Sequence, residues 1–292
     1  MTEAQSTGPQ STGPRIAVLG AGVMGTGIAT LAVGHGLPVT LVDVDPDVVA
    51  QAPGKVRGQL RLAQMTGRLA RDRTPGELTA TTELAAIADA TVVIEAVTEL
   101  ADLKSEVLRA AAAVVAPGTL LVSNTSAVPI DEQAAALERP QDLVGIHFMN
   151  PPYMIRTVEV IRGPRSGDEA VAATLDLLAA LDRDGVVVGD GPGFVINRIL
   201  QRMINEAARI VEDGIATPEQ VDALFTGCLG HTTGPLATGD LIGLDNVADS
   251  LRVLAERTGD AGYQPCDLLL KKVADGHWGR KNGQGFHSYA AN

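Results

Sequence analysis

The chain is poor in cysteine, in aromatic residues and in basic charge. Its two cysteines, Cys228 and Cys266, are too few for a disulfide framework, and neither has a companion at zinc-ligand spacing. No metal site is therefore expected. Aromatic residues make up 3% of the chain, and alanine, glycine, valine and leucine dominate. Small apolar residues of this kind suit helices packed closely on a sheet. Lys and Arg number 23 against 35 Asp and Glu, a net charge of −12, which argues against a nucleic-acid binder, since phosphate affinity needs a basic surface. No stretch approaches the ~20 uninterrupted apolar residues of a membrane span. Residues 1–14, with Gln-Ser-Thr-Gly-Pro at 5–9 and again at 10–14, lack the apolar centre of a secretory signal. They form an expected disordered tail, because nothing in them buries enough area to offset ordering. A soluble, cytoplasmic protein is the expectation.

What is present begins at Arg15. Ile16–Leu19 reads as a strand, Val23–Val33 as a helix and Val39–Val42 as a second strand. Strand, glycine turn, helix and strand within this span make a βαβ unit with parallel strands. Further strands are expected at Thr91–Ile94, Leu120–Val122, Leu143–His147, Val158–Ile161 and Val186–Val188, with a helix over Leu103–Val115. Uninterrupted apolar strands separated by helices indicate a sheet buried on both faces. After Gly189-Asp190-Gly191-Pro192-Gly193 no strand signal follows. Leu200, Met203, Ile204, Ala207 and Val211 recur at helical spacing. Thr217-Pro218 starts another helix as N-cap and first residue. Residues 234–257 and 264–274 also read as helices. The expected architecture is α/β, a Rossmann-type doubly wound, mostly parallel sheet over 15–190, followed by an all-α domain over 191–292. A small helical domain with a long apolar face often packs on a second copy, so a homodimer is expected.

Gly20-Ala21-Gly22-Val23-Met24-Gly25 matches G-x-G-x-x-G, follows the first strand and opens the first helix. Gly20 permits the tight turn, Gly22 lets the backbone approach a pyrophosphate, and Gly25 lets helix and strand pack closely. The helix N-terminus offers N–H groups and positive potential to phosphates. Asp43 ends the second strand, where a carboxylate accepts from ribose hydroxyls and repels a 2′-phosphate. NAD is the expected cofactor.

Composition identifies no reaction; local patterns do. Ser123-Asn124-Thr125-Ser126 is followed by Gly145-Ile146-His147-Phe148-Met149-Asn150-Pro151 with Val158-Glu159-Val160. Pro192-Gly193-Phe194-Val195-Ile196-Asn197-Arg198, Gly234-Pro235-Leu236 with Asp240–Asp245, and Gly279–Phe286 then follow in order. Together these resemble the 3-hydroxyacyl-CoA dehydrogenase family, of the short 3-hydroxybutyryl-CoA dehydrogenase type, over roughly Arg15 to Tyr289. The resemblance implies His147 as general base for the substrate 3-hydroxyl, a role suited to an imidazole. It implies Glu159 as the acid that orients the imidazole, Ser126 on the reacting oxygen and Asn197 on the substrate carbonyl side. With Asn197 in the helical domain, the substrate is expected in a cleft between domains. For the cofactor it adds Glu99, Lys104 and Asn150.

Two features depart from the family pattern. Asn150-Pro151-Pro152-Tyr153 resembles relatives acting on polar hydroxy acids such as L-gulonate, and enzymes oxidising glyceryl groups on an acyl carrier protein for polyketide extender units. After Asp43, Pro53-Gly54 is expected to interrupt the helix, with Gln59 and Thr66 where nucleotide contacts usually fall. Residues 55–73 nevertheless carry Lys55, Arg57, Arg61, Arg68, Arg71 and Arg73 against the single acid Asp72. Such a strip suits CoA phosphates or an acidic carrier protein, with Arg61 and Arg68 as substrate-binding candidates. The leading reading is NAD-dependent interconversion of 3-hydroxyacyl and 3-oxoacyl thioesters of CoA. The rivals are the same chemistry on acyl carrier protein, oxidation of a free hydroxy acid, and a non-catalytic NAD-binding redox sensor.

Overall fold

A computed structural model describes residues 13–289, and the chain divides into two compact units after Asp190. The expectation of a disordered tail falls, for residues 1–12, outside the described residues.

The first unit alternates strands and helices: β1 (Ile16–Leu19), α1 (Val23–Gly34), β2 (Val39–Val42), α2 (Pro46–Met65), β3 (Leu78–Thr81), β4 (Val92–Glu95) and α3 (Ala101–Val114). It continues with β5 (Leu120–Ser123), α4 (Ile130–Ala134), β6 (Leu143–His147), β7 (Thr157–Arg162), α5 (Asp168–Ala180) and β8 (Asp184–Gly189). The eight strands form one sheet in the order β3-β2-β1-β4-β5-β6-β7-β8. Every neighbouring pair is parallel except β6 and β7, which meet antiparallel because a loop, not a helix, joins them. The Rossmann-type doubly wound sheet is thus mostly parallel. Strands β1, β4, β5 and β6 are buried throughout. Their valine, leucine and isoleucine side chains form the core with Ile28, Leu31, Ala52 and Val56 from α1 and α2.

Four expectations needed correction. Strand β3 escaped notice because Leu-Thr-Ala-Thr has no long apolar run, yet it pairs in register with β2 as an edge strand. Strand β8 is not buried on both faces: Val186 and Val187 are exposed at the other edge of the sheet. The proline at 53 does not interrupt α2, which runs unbroken from Pro46 to Met65. An internal proline costs about 3 kcal/mol of helix stability. Ala52, Val56 and Ala63, buried against the core, offset it. The stretch 234–257 is two helices, because Gly243 has φ +102°, a conformation no helix contains.

The second unit holds α6 (Ile196–Glu212), α7 (Pro218–Leu229), α8 (Pro235–Ile242), α9 (Leu244–Thr258) and α10 (Asp267–Ala274) around its own core of Ile204, Leu236, Val247, Leu251 and Leu269. Thr217 caps α7 reciprocally with Gln220, with Pro218 in the first turn. Buried Asp240 accepts from Phe286 N, His287 N and Tyr289 Oη, and so fastens the last described residues to α8. Among the described residues no helix is long and apolar enough to cross a membrane. None of their His, Cys, Asp and Glu side chains form a group of three that could hold a metal ion.

Candidate active site

The glycine turn shows why each glycine stands where it does. Gly20 has φ +98°, and a Cβ there would lie 2.7 Å from Ala96 O. A Cβ on Gly25 would lie 1.7 Å from Gly20 O, so the turn closes only without one. A Cβ on Gly22 would meet nothing within 4 Å, which leaves open space over the first turn of α1. The unpaired N–H groups of that turn face it. Val23 is exposed there and Met24 packs on the core. Asp43 Oδ2 accepts from Ala21 N at 2.7 Å and its Oδ1 from Asp45 N at 3.0 Å, so this carboxylate also braces the turn. A cavity of about 500 Å³ opens beside Gly20, Gly22, Asp43, Val44, Ala96 and Leu103. Its open glycine, helix N-terminus and strand-end carboxylate fit a dinucleotide with an unphosphorylated ribose.

Beyond β4 lies a second cluster. Lys104 is wholly buried. Its Nζ donates to Glu95 Oε1 at 2.9 Å and Oε2 at 3.1 Å, and to Asn124 O at 3.0 Å, and lies 3.1 Å from Glu99 Oε2. An ammonium has three donors, and these acceptors engage them. Lys104 is therefore fully engaged within the cluster, and its link toward the surface is Glu99. Glu99 Oε1 accepts from Thr125 Oγ1 at 2.6 Å, Ser126 N at 2.7 Å, Ser126 Oγ at 3.2 Å and Ala127 N at 2.9 Å. Burial opposes ionisation of Glu99, but the Lys104 charge and these donors outweigh it and hold its carboxyl below the usual range. Glu95 is enclosed more completely. Burial pushes its carboxyl up against the pull of Lys104, Ser123 Oγ and Val97 N.

The third cluster follows from strand register. His147 on β6 stands opposite Glu159 on β7, so the two side chains share one face of the sheet. Nδ1 of His147 lies 2.7 Å from Glu159 Oε2, and both residues are buried. With Nδ1–H donating to the carboxylate, the neutral ring carries its lone pair on Nε2. Asn150 is exposed on the loop between the two strands, and Phe148 N donates to Asn124 Oδ1. That loop is clamped farther on. Arg183, buried just before β8, donates from Nε to Pro152 O at 3.2 Å and from Nη2 to Tyr153 O at 3.1 Å. Asn197 belongs to the second unit, in the first turn of α6.

Residues 15–191 match the model of the 3-hydroxyacyl-CoA dehydrogenase NAD binding domain, and residues 193–289 that of the 3-hydroxyacyl-CoA dehydrogenase C-terminal domain. The chain belongs to the 3-hydroxyacyl-CoA dehydrogenase family. It is 39% identical over 267 residues to a probable 3-hydroxybutyryl-CoA dehydrogenase of Bacillus subtilis, covering 90% of this chain and 92% of the relative. To a 3-hydroxybutyryl-CoA dehydrogenase of Mycobacterium tuberculosis it is 38% identical over 268 residues, covering 90% and 93%. Among solved structures, (S)-3-hydroxybutyryl-CoA dehydrogenase from Ralstonia eutropha superposes with a TM-score of 0.87 at 34% identity, covering 95% of this chain and 99% of that one. The chain is an NAD-dependent oxidoreductase of this family.

Within the family fold, the basic strip lies along α2 and beyond its end. Lys55, Arg57, Arg61, Arg68, Arg71 and Arg73 are all exposed, and none forms an ion pair among the described residues. Arg71 donates to Gln64 O and Met65 O, and Arg73 to His35 O, which fixes them on the backbone. Gln59 is half-buried and bonded to Thr30 Oγ1 at 2.7 Å, and Thr66 Oγ1 donates to Leu62 O at 2.9 Å. Gln59 therefore ties α2 to α1, and Thr66 closes the end of α2 itself. Sequence reasoning missed Glu95 and Arg183. A strand-ending acid and an arginine after a helix carry no motif; only their burial marks them.

Proposed function

We propose that the chain oxidises the 3-hydroxyl of a short 3-hydroxyacyl-CoA to the 3-oxoacyl thioester, reversibly, with NAD. The observation that carries this reading is the buried His147–Glu159 pair, with Nδ1 committed to the carboxylate. NAD would lie on the Gly20–Gly25 turn, with Asp43 taking the adenosine ribose and Glu99 and Asn150 the nicotinamide end; Lys104 holds Glu99 in place. Bound there, NAD supplies the acceptor for the hydride leaving C3. His147 Nε2 takes the hydroxyl proton as the carbonyl forms, a contribution of ~10²–10⁴-fold for a well-placed base. Glu159 holds the ring in the tautomer that can accept and then stabilises the imidazolium. Ser126 hydrogen-bonds the reacting oxygen, and Asn197 holds the substrate carbonyl.

The carrier reading rests on the unpaired basic strip, with Arg61 and Arg68 assigned to CoA phosphates. The test is NADH formation from 3-hydroxybutyryl-CoA, the same acyl group on an acyl carrier protein, and free 3-hydroxybutyrate. Turnover of the CoA ester well above the others is expected. Turnover confined to the carrier protein or to the free acid would overturn the CoA assignment. No turnover of any, with NADH still bound, would favour a redox sensor.

A homodimer and a cytoplasmic setting belong to the same proposal. Ile199, Leu224, Leu229 and Leu241 are exposed on the helical unit, and these favour a second copy as partner. Light scattering after gel filtration should give twice the chain mass.

A further inference from the structure

Glu95 is a buried carboxylate that the proposed reaction does not use. It has no exposed surface, at the end of β4. Its oxygens take Lys104 Nζ at 2.9 and 3.1 Å, Ser123 Oγ at 2.8 Å and Val97 N at 2.7 Å. Two of these partners lead elsewhere. Ser123 ends β5, three residues before Ser126. Lys104 also holds Glu99 Oε2 at 3.1 Å, and Glu99 Oε1 takes both the backbone N and the Oγ of Ser126. A continuous polar path therefore runs from the core of the sheet to one hydroxyl group.

The charges explain why the path is rigid. Two carboxylates share a single ammonium, so Lys104 is held from both sides. A buried ammonium relieved of one carboxylate moves toward the other. Glu99 is the only one of the three that is partly exposed, with 36% of its side chain open to solvent. It would follow any displacement of Lys104, and the Ser126 turn would follow Glu99. The Ser126 O–H donates to Glu99 Oε1, which joins Glu95 through Lys104.

We propose that Glu95 is a positioning residue for Ser126, acting through Lys104 and Glu99. This rests on the reading of Ser126 as a group that contacts the reacting oxygen. Misplacement by about 1 Å can cost ~100-fold in rate, so a partial release should cost about tenfold in kcat.

A double-mutant cycle separates this from a general structural role, because interacting residues are non-additive. Ser126→Ala is measured first. If it retains full kcat, the Ser126 reading fails, and the proposal with it, before Glu95 is touched. Given a loss there, Glu95→Gln should lower kcat about tenfold when Ser126 is present and less than about twofold in Ser126→Ala. Equal losses in both backgrounds, or no loss in either, would overturn the proposal. Should Glu95→Gln fail to fold, Ser123→Ala carries the same cycle. It removes a single donor to Glu95, worth about threefold with Ser126 present and nothing without it. A loss in Ser123→Ala that is equal in both backgrounds would again overturn it.

Discussion

The first unit carries two kinds of charge. Lys104, Glu95, Glu159 and His147 are buried, and each is matched by an opposite or hydrogen-bonding partner within 3.1 Å. Lys55, Arg57, Arg61 and Arg68 are exposed and form no ion pair among the described residues. Desolvation accounts for the difference. A buried ion without a partner costs several kcal/mol, so the interior keeps only charges that an opposite charge or hydrogen bonds satisfy. A surface cation costs almost nothing unpaired and stays available for an anion from outside. Interior pairs therefore set geometry, and under the proposed function the surface strip is where an anionic carrier would gain attraction and rate of encounter.

The largest effect should come from breaking an interior set. Lys104→Met leaves Glu95 and Glu99 without their common cation and should cost about 3–5 kcal/mol of stability in urea unfolding. A cost below about 1 kcal/mol would erase the contrast. Next, His147→Gln removes the proposed base but preserves most of the packing. It should lower kcat by ~10²–10⁴-fold while NADH affinity, read by fluorescence, stays within about twofold. Substantial remaining turnover would assign the proton to another group.

The surface strip should respond differently. Arg61→Gln with Arg68→Gln should raise KM for the CoA ester by up to about fivefold per arginine, since exposed pairs are worth about 1 kcal/mol or less. The kcat should hold, and the effect should shrink in high salt. A loss of kcat insensitive to salt would move these arginines into the interior class.

The smallest effect lies in acid linkage, where the two carboxylates around Lys104 have opposite signs. Glu99 titrates below its ordinary value of 4.5, so its stabilisation is present above that pH and lost as pH falls through the folded value. Glu95 titrates above 4.5, so its ionisation costs stability as pH rises from 4.5 through the folded value. Urea midpoints against pH should lose the first limb in Glu99→Gln and the second in Glu95→Gln. The same slope in both variants would contradict the opposite signs.

Much of the fold was legible along the chain. Strands β1, β2 and β6 end where glycine or an apolar run predicts, because their pattern is local. Strand β3 was not, because two threonines among four residues become a strand only once β2 offers an edge. Pro53 misled for a related reason: its cost is local, but the burial of Ala52 and Val56 that outweighs it is not. In the site, the glycine turn was readable because the positive φ of Gly20 and the clash of a Gly25 Cβ with Gly20 O are local; the close approach of Ala96 O to Gly20 was not. The pairing of His147 with Glu159 was suggested by motif and completed by the antiparallel register of β6 and β7. Nothing local announced Glu95 or Arg183.

The sequence by itself determined the glycine turn, the alternation of strand and helix, and the residue types available for proton transfer. All of these depend on neighbours within a few positions. Tertiary structure alone decided which charges face each other. Glu95, Lys104, Glu99 and Ser126 lie up to 31 residues apart, and a sheet must bring them together before desolvation can couple them. The scarcity of basic residues says how many cations there are; only the fold separates those bound inside from those left on the surface.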